Sequence, residues 1–304
     1  MSKTSLRSLL LGLLLIAAVS NAKIIQRIVG GDVAREKQFK YQVSLQRVSL
    51  WDGCVRHFCG GSILDRYHVI TAAHCVVNNR TRLVILDPIS VVAGTVDLRK
   101  PGSGVYRSAK WVFMPTDYVK TGYRANDIAI LRLSEPFPLN DDRLGKIRIA
   151  KPNQYLPGNS TQIAVLSGFG IYKQKIDPNG KLLSESGASP ILRYSVGQIN
   201  YVAPGIKPCE DHLVCVSPVN RKYAGACRGD SGGPLVDIKT NTLIGISSYS
   251  EFDLCGKVEK FTRVSSYRKI IGESLYRPRR LSDATYVTRL PIIDSSRSPL
   301  CNYK

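Results

Sequence analysis

Gly229-Asp230-Ser231-Gly232-Gly233-Pro234 is the stretch on which the reading of this 304-residue chain turns. A serine set among glycines is by itself most often a turn. It gains meaning from two distant companions, Thr71-Ala72-Ala73-His74-Cys75 and Asn126-Asp127-Ile128-Ala129. Together the three segments offer a hydroxyl, an imidazole and a carboxylate. A serine hydroxyl is a poor nucleophile until a neighbouring base takes its proton, and a base works best when a third group orients it. His57, His68 and His212 have no such companions and read as structural.

Around these segments, from Ile28 to about Tyr276, short β-rich runs alternate with Gly, Pro, Asn and Asp turns. Tyr41-Gln42-Val43-Ser44-Leu45, Val91-Val92-Ala93 and Ile128-Ala129-Ile130-Leu131-Arg132-Leu133 are examples. That spacing predicts an all-β barrel or sandwich. Helical periodicity is confined to about Val264–Tyr276, so a short C-terminal helix is expected. Some 250 residues suffice for a sizeable core or two packed barrels. Residues 277–304 differ: Arg277-Pro278-Arg279-Arg280 opens a basic tail with little periodicity, expected to lie along the surface or be partly disordered.

The start of the chain is a processing signal. Lys3 and Arg7 precede an apolar run from Leu9 to Val19, and Ser20-Asn21-Ala22 supplies small residues for cleavage. The run is too short to span a bilayer, which needs about 20 residues. No later stretch comes close, so residues 1–22 read as a signal peptide and the protein as secreted and extracellular. Eight cysteines suit an oxidising destination, and they lack the paired spacing of a zinc site. The sequons at Asn79 and Asn159 are candidate glycan sites.

A formal charge of +20 falls to +16 without the four cations of the first 27 residues. Such a charge fits a polyanion partner such as a glycosaminoglycan, or simply a solvated basic surface. There is no nucleic-acid motif.

The span from Ile28 to Tyr276 resembles the trypsin/chymotrypsin-like serine proteases, secreted and made as zymogens. The resemblance rests on Ile28-Val29-Gly30-Gly31, His57-Phe58-Cys59-Gly60-Gly61-Ser62, Ser167-Gly168-Phe169-Gly170 and the three motifs above. Their order, His then Asp then Ser, is that of chymotrypsin-like enzymes rather than of subtilisins or α/β-hydrolases. It implies two six-stranded antiparallel β-barrels with the active site between them, needing no cofactor and no metal. His74 would act as base, Asp127 would orient it, and Ser231 would attack the peptide carbonyl. The N–H groups of Gly229 and Ser231 would form the oxyanion hole.

The same resemblance makes Arg27-Ile28 the activation bond, with residues 23–27 as a propeptide, 28–276 as the protease domain and 277–304 as the tail. A trypsin-like protease would cut after Arg27, and the new Ile28 ammonium would pair with Asp230. At the floor of the primary specificity pocket, where trypsins carry aspartate, stands Gly225. Ser250 replaces a wall glycine and Glu259 falls at another wall position. A chymotrypsin- or elastase-like preference follows, with tolerance of Lys where Glu259 faces the pocket; the alternative places Glu259 in solvent. The family pattern pairs Cys59–Cys75, Cys209–Cys215 and Cys227–Cys255. Cys54 and Cys301 remain, either paired with each other or free for intermolecular bonds. Asp97 is the lone acid where some trypsins bind calcium, so that site is not expected. The expected substrates are proteins or peptides; the alternative is a non-catalytic homologue that binds a partner or a polyanion.

Overall fold

Antiparallel pairing closes two separate rings of strands in the computed structural model. It describes residues 29–49, 51–78, 80–121, 125–152, 162–177, 181–199, 209–219, 224–250, 254–276 and 285–301. The expected signal peptide, Arg27, Ile28 and the sequon asparagines Asn79 and Asn159 lie outside these described residues.

The first ring uses β1 (Gln42–Val48), β2 (Val55–Ile63), β3 (His68–Thr71), β4 (Ile89–Ala93), β5 (Val105–Pro115) and β6 (Ala129–Leu133). They pair in the order β1-β2-β3-β6-β5-β4 and back to β1. The second uses β7 (Ile163–Gly168), β8 (Arg193–Ile199), β9 (Leu213–Pro218), β10 (Pro234–Asp237), β11 (Thr242–Ser250) and β12 (Glu259–Arg263). Its order, β7-β8-β9-β12-β11-β10 and back to β7, repeats the first barrel's topology. These are the two six-stranded antiparallel barrels expected from the resemblance. Closure removes the open edges that a β-sheet otherwise presents.

Each barrel is filled by inward side chains. Val43, Leu45, Ile70, Val91, Val112 and Leu131 fill the first, and Leu166, Val214, Leu235, Ile244 and Phe261 the second. In β8 burial alternates residue by residue from Arg193 to Ile199, the period-two signature of a strand with one face inward. Polar contacts join the barrels. Ser167 Oγ donates to Gln42 Oε1 (2.7 Å), and the Gly60 N–H donates to the Ser231 carbonyl (2.7 Å). After β12 come a 3-10 turn, Val264–Tyr267, and α1 (Arg268–Tyr276), the expected C-terminal helix.

The described part of the tail is an ordered strap. β13 (Thr285–Arg289) pairs antiparallel with β5 from Trp111 to Pro115. The first half of β5 pairs with β4, so β13 occupies ladder positions that the second half leaves open. Leu290 is buried, Val55 N–H donates to Pro299 O (2.8 Å), and Cys301 is joined to Cys54. The sequence reading missed this strand because four of its five residues are not buried: backbone bonds hold it, with no alternating apolar face.

Candidate active site

Strand register brings His74 and Asp127 together. β3 and β6 run antiparallel with Thr71 opposite Ala129, so the residues just after β3 meet those just before β6. His74 sits in a 3-10 turn, Ala73–Cys75, tied to β2 by the Cys59–Cys75 disulfide. Its backbone N–H donates to Asp127 Oδ1 (2.9 Å) and its Nδ1–H to Asp127 Oδ2 (2.8 Å). The carboxylate can only accept, so in the neutral ring the proton sits on Nδ1 and Nε2 keeps its lone pair. Asp127 is 1% exposed, and the Ser248 hydroxyl on β11 donates to Oδ2. Thr262 Oγ1 donates to the Asp127 carbonyl (2.9 Å). Burial lowers the His74 pKa, but the Asp127 charge and hydrogen bond outweigh it, and the net shift is upward.

Ser231 stands on the loop before β10 and lines one cavity of about 540 Å³ together with His74. Gly229 has φ +97°, a conformation side chains rarely adopt, and a Cβ there would lie 2.9 Å from the Gly170 Cα. Beneath it, His57 Nε2–H donates to the Gly229 carbonyl (2.8 Å). The His57 Nδ1 therefore accepts from Ser44 Oγ (2.8 Å). Burial lowers the His57 pKa to about 4, so this imidazole stays neutral and both its nitrogens are engaged. It supports the Gly229 loop from below. His68 pairs with Asp65 and His212 faces Glu210, both away from this cluster.

Asp230, adjacent to the serine, is turned inward. Its Oδ1 accepts from Gly170 N–H (2.7 Å) and its Oδ2 from Cys227 N–H (2.9 Å). Burial raises its pKa to about 7, against the pull of those two bonds. A Cβ on Gly170 would come within 2.5 Å of the Asp230 Cγ, so the carboxyl fits only because residue 170 lacks one.

A second cavity, about 230 Å³, is also lined by Ser231. Ala226, Ser248, Ser250, Glu259 and the Cys227–Cys255 disulfide line it, with Arg228 and Lys260 as its basic members. Glu259 points inward: it is 5% exposed, and a Cβ on Gly225 would sit 2.1 Å from its Oε1. Gly225 and Glu259 are therefore in contact, glycine leaving the space that the glutamate fills. Burial raises the Glu259 pKa to about 8, with the nearby Asp230 adding to it and hydrogen bonds from the Ala226 and Gly256 backbone opposing. Ser250 is exposed at the mouth.

All eight cysteines are bonded: Cys54–Cys301, Cys59–Cys75, Cys209–Cys215 and Cys227–Cys255. The sulfur-containing groups Cys59/His74/Cys75 and Asp52/Cys54/Cys301 are disulfides with neighbours, so they offer no thiolate to a metal. Asp97 is held by Arg99 through Nε and Nη2, both at 2.9 Å. What sequence reasoning did not find is the basic side of the His74 cavity, Arg47 and Arg80. The signal was available in principle: Arg47 and Arg56 flank a hairpin whose register sets them opposite each other.

Two repeated barrels with a histidine, an aspartate and a serine gathered between them define a chymotrypsin-like serine protease architecture. The comparisons agree. A family model described as Trypsin matches residues 28–271. Serine protease SP24D of Anopheles gambiae is 35% identical over 245 residues, 79% of this chain and 78% of that protein. Chymotrypsin-C of Mus musculus is 31% identical over 258 residues, 82% and 89% of the two chains. Among solved structures, human heparin binding protein aligns with TM-score 0.62 at 25% identity, covering 83% of this chain and 99% of that one. The chain belongs to the trypsin family of serine proteases.

Proposed function

We propose that this protein is a secreted serine endopeptidase, activated by cleavage after Arg27, that hydrolyses peptide bonds through an acyl-enzyme. Ser231 attacks the carbonyl while His74 Nε2 takes its proton. The tetrahedral oxyanion is held by the N–H groups of Gly229 and Ser231, His74 returns the proton to the leaving amine, and water then releases the acyl group. The observation that carries this reading is the His74 imidazole, fixed by buried Asp127 with Nε2 left as acceptor in the cavity it shares with Ser231. Trypsin-like proteolysis after Arg27 would free the Ile28 ammonium to pair with Asp230. A carboxyl whose pKa burial lifts to about 7, against two backbone hydrogen bonds, gains most from such a partner.

The cavity that holds Glu259 is taken as the primary pocket: Glu259 fills the space left by Gly225, and the residue at the expected floor position carries no acid. Protonated, Glu259 leaves a neutral pocket suited to apolar side chains; ionised, it can pair with Lys or Arg. The decisive experiment uses Arg27-cleaved protein and peptides carrying Phe, Leu, Ala, Lys or Arg before the scissile bond. Cleavage absent from Ser231→Ala supports the reading, and no cleavage in either protein counts against it.

A second activity, binding of a polyanion such as a glycosaminoglycan, is favoured by the charge of +20 and by similarity to a protein named for heparin binding. Retention on immobilised heparin that salt elutes would support it, with or without catalysis. Because Cys301 anchors the tail, charge-neutralising substitutions at Arg279 and Arg280 test the tail better than truncation.

A further inference from the structure

Ser231 lines two cavities, and their charged side chains differ. One holds the buried carboxyl of Glu259, with Lys260 and Arg228 also in its lining. The other lies on the His74 side and is lined by Arg47, Phe58, His74, Arg80 and Ser231, with no carboxylate among its described lining residues. The proposed reaction fixes which is which. His74 protonates the leaving amine, so the part of the substrate after the scissile bond must pass on the His74 side. The arginine-lined cavity therefore receives the leaving-group residues, and the Glu259 cavity receives the side chain before the bond.

The arginines are arranged as a receptor for anions. Arg47 lies over the Phe58 ring, its guanidinium carbon 4.2 Å from the centroid, and its Nη2 donates to the Cys75 carbonyl at 3.3 Å. Its Nε is buried with no hydrogen-bond partner among the described residues. Across the hairpin, Arg56 stands opposite Arg47 in the β1–β2 register, a like-charge pair that costs stability unless an anion or other compensation is at hand. The carboxylates within electrostatic reach are exposed ones, Asp87 toward Arg47 and Asp52 toward Arg56. Arg80 adds a third, exposed cation at the rim.

We propose that this cleft selects peptides with Asp or Glu in the first two positions after the scissile bond, Arg47 and Arg80 contacting the carboxylate and Arg56 reinforcing the field. The inference rests on the serine-endopeptidase reading above. A partly exposed arginine–carboxylate contact is a modest attraction. Two of them should raise kcat/KM about five- to tenfold for Glu over Ala at the second position after the bond, with Lys below Ala.

The test uses Arg27-cleaved protein and internally quenched peptides identical up to the bond, carrying Glu, Asp, Ala, Gln, Lys or Arg in the two positions after it. A serine-hydrolase probe counts the competent enzyme in every sample, so rates are per active site. The Glu/Ala ratio should exceed Gln/Ala, and should fall at least about twofold as salt rises from about 0.05 to 0.5 M, because screening shortens the reach of exposed charges. Arg80→Glu, at an exposed position, should bring the Glu/Ala ratio to about one, and Arg47→Gln should cut it to about two- to threefold. Hydrolysis with equal rates for Glu, Gln and Lys, or an acidic preference untouched in Arg80→Glu and Arg47→Gln alike, overturns the inference and leaves the catalytic reading standing. Absence of both probe labelling and hydrolysis would overturn the catalytic reading, and this inference with it.

Discussion

Glu259 should make the primary specificity of the proposed endopeptidase depend on pH. Its carboxyl is 5% exposed against Gly225 in the cavity beside Ser231, and burial lifts its pKa to about 8. At that value only about a tenth of the enzyme carries the carboxylate at pH 7, and about nine-tenths at pH 9. An arginine side chain keeps its charge throughout, so the ratio of kcat/KM for Arg over Leu before the bond should rise about tenfold between those pH values. His74 ionisation acts on both substrates alike and cancels in the ratio. The assay is a pair of peptides differing only at that residue, followed from pH 6 to 9.5. Because kcat/KM reports the free enzyme, the midpoint should fall near 8. Glu259→Gln should abolish the slope and lower the Arg rate to its low-pH level. A flat ratio in the parent protein, or an unchanged slope in Glu259→Gln, would refute a carboxyl in the pocket.

The same proton is linked to folding: between about pH 4.5 and 8 the unfolded chain releases it and the folded chain keeps it. Stability should therefore fall as pH rises through that window, by at most about 5 kcal/mol, and less steeply in Glu259→Gln, as pH-dependent denaturant midpoints will show. Asp127→Asn should drop kcat about ten-thousandfold while leaving the fold intact, because an amide donor toward Nδ1 forces the proton onto Nε2; a loss below tenfold would remove Asp127 from its orienting role. Gly170→Ala should destabilise the protein by about 3 kcal/mol, since the new Cβ meets the Asp230 carboxyl, and an unchanged melting temperature would contradict that contact. Cys301→Ser combined with Cys54→Ser opens a loop spanning 247 positions, for which chain entropy allows up to about 5 kcal/mol; an unaltered denaturation midpoint would show the strap to be energetically idle.

The segments that carry chemistry were legible because each combines a particular residue with a local backbone demand. Gly229 needs φ +97°, and His74 sits in a tight turn tied down by Cys75. Their assembly depends on register: Thr71 opposite Ala129 is what brings His74 to Asp127, and no local pattern encodes that pairing. Barrel strands such as β8 announce themselves through alternation, whereas β4, buried at all five residues, does so only through its β-branched run. β13 escaped detection because its partner is the open part of the β5 ladder rather than an apolar core. Glu259 was placed near the pocket by counting along the chain, but its inward orientation emerges only from the contact with Gly225. Arg47 and Arg80 come from separate segments and line one cavity only after folding, so the Arg47–Arg56 hairpin pattern could hint at a basic patch without placing it beside His74.

The most direct measurement is covalent labelling of Ser231 by an organophosphonate serine-hydrolase probe, after cleavage at Arg27 and confirmation of Ile28 as the N-terminus. The account predicts stoichiometric labelling on the Ser231 peptide, lost in Ser231→Ala and greatly slowed in His74→Ala. A folded, correctly processed protein that remains unlabelled would contradict it, leaving a protease fold without a working nucleophile.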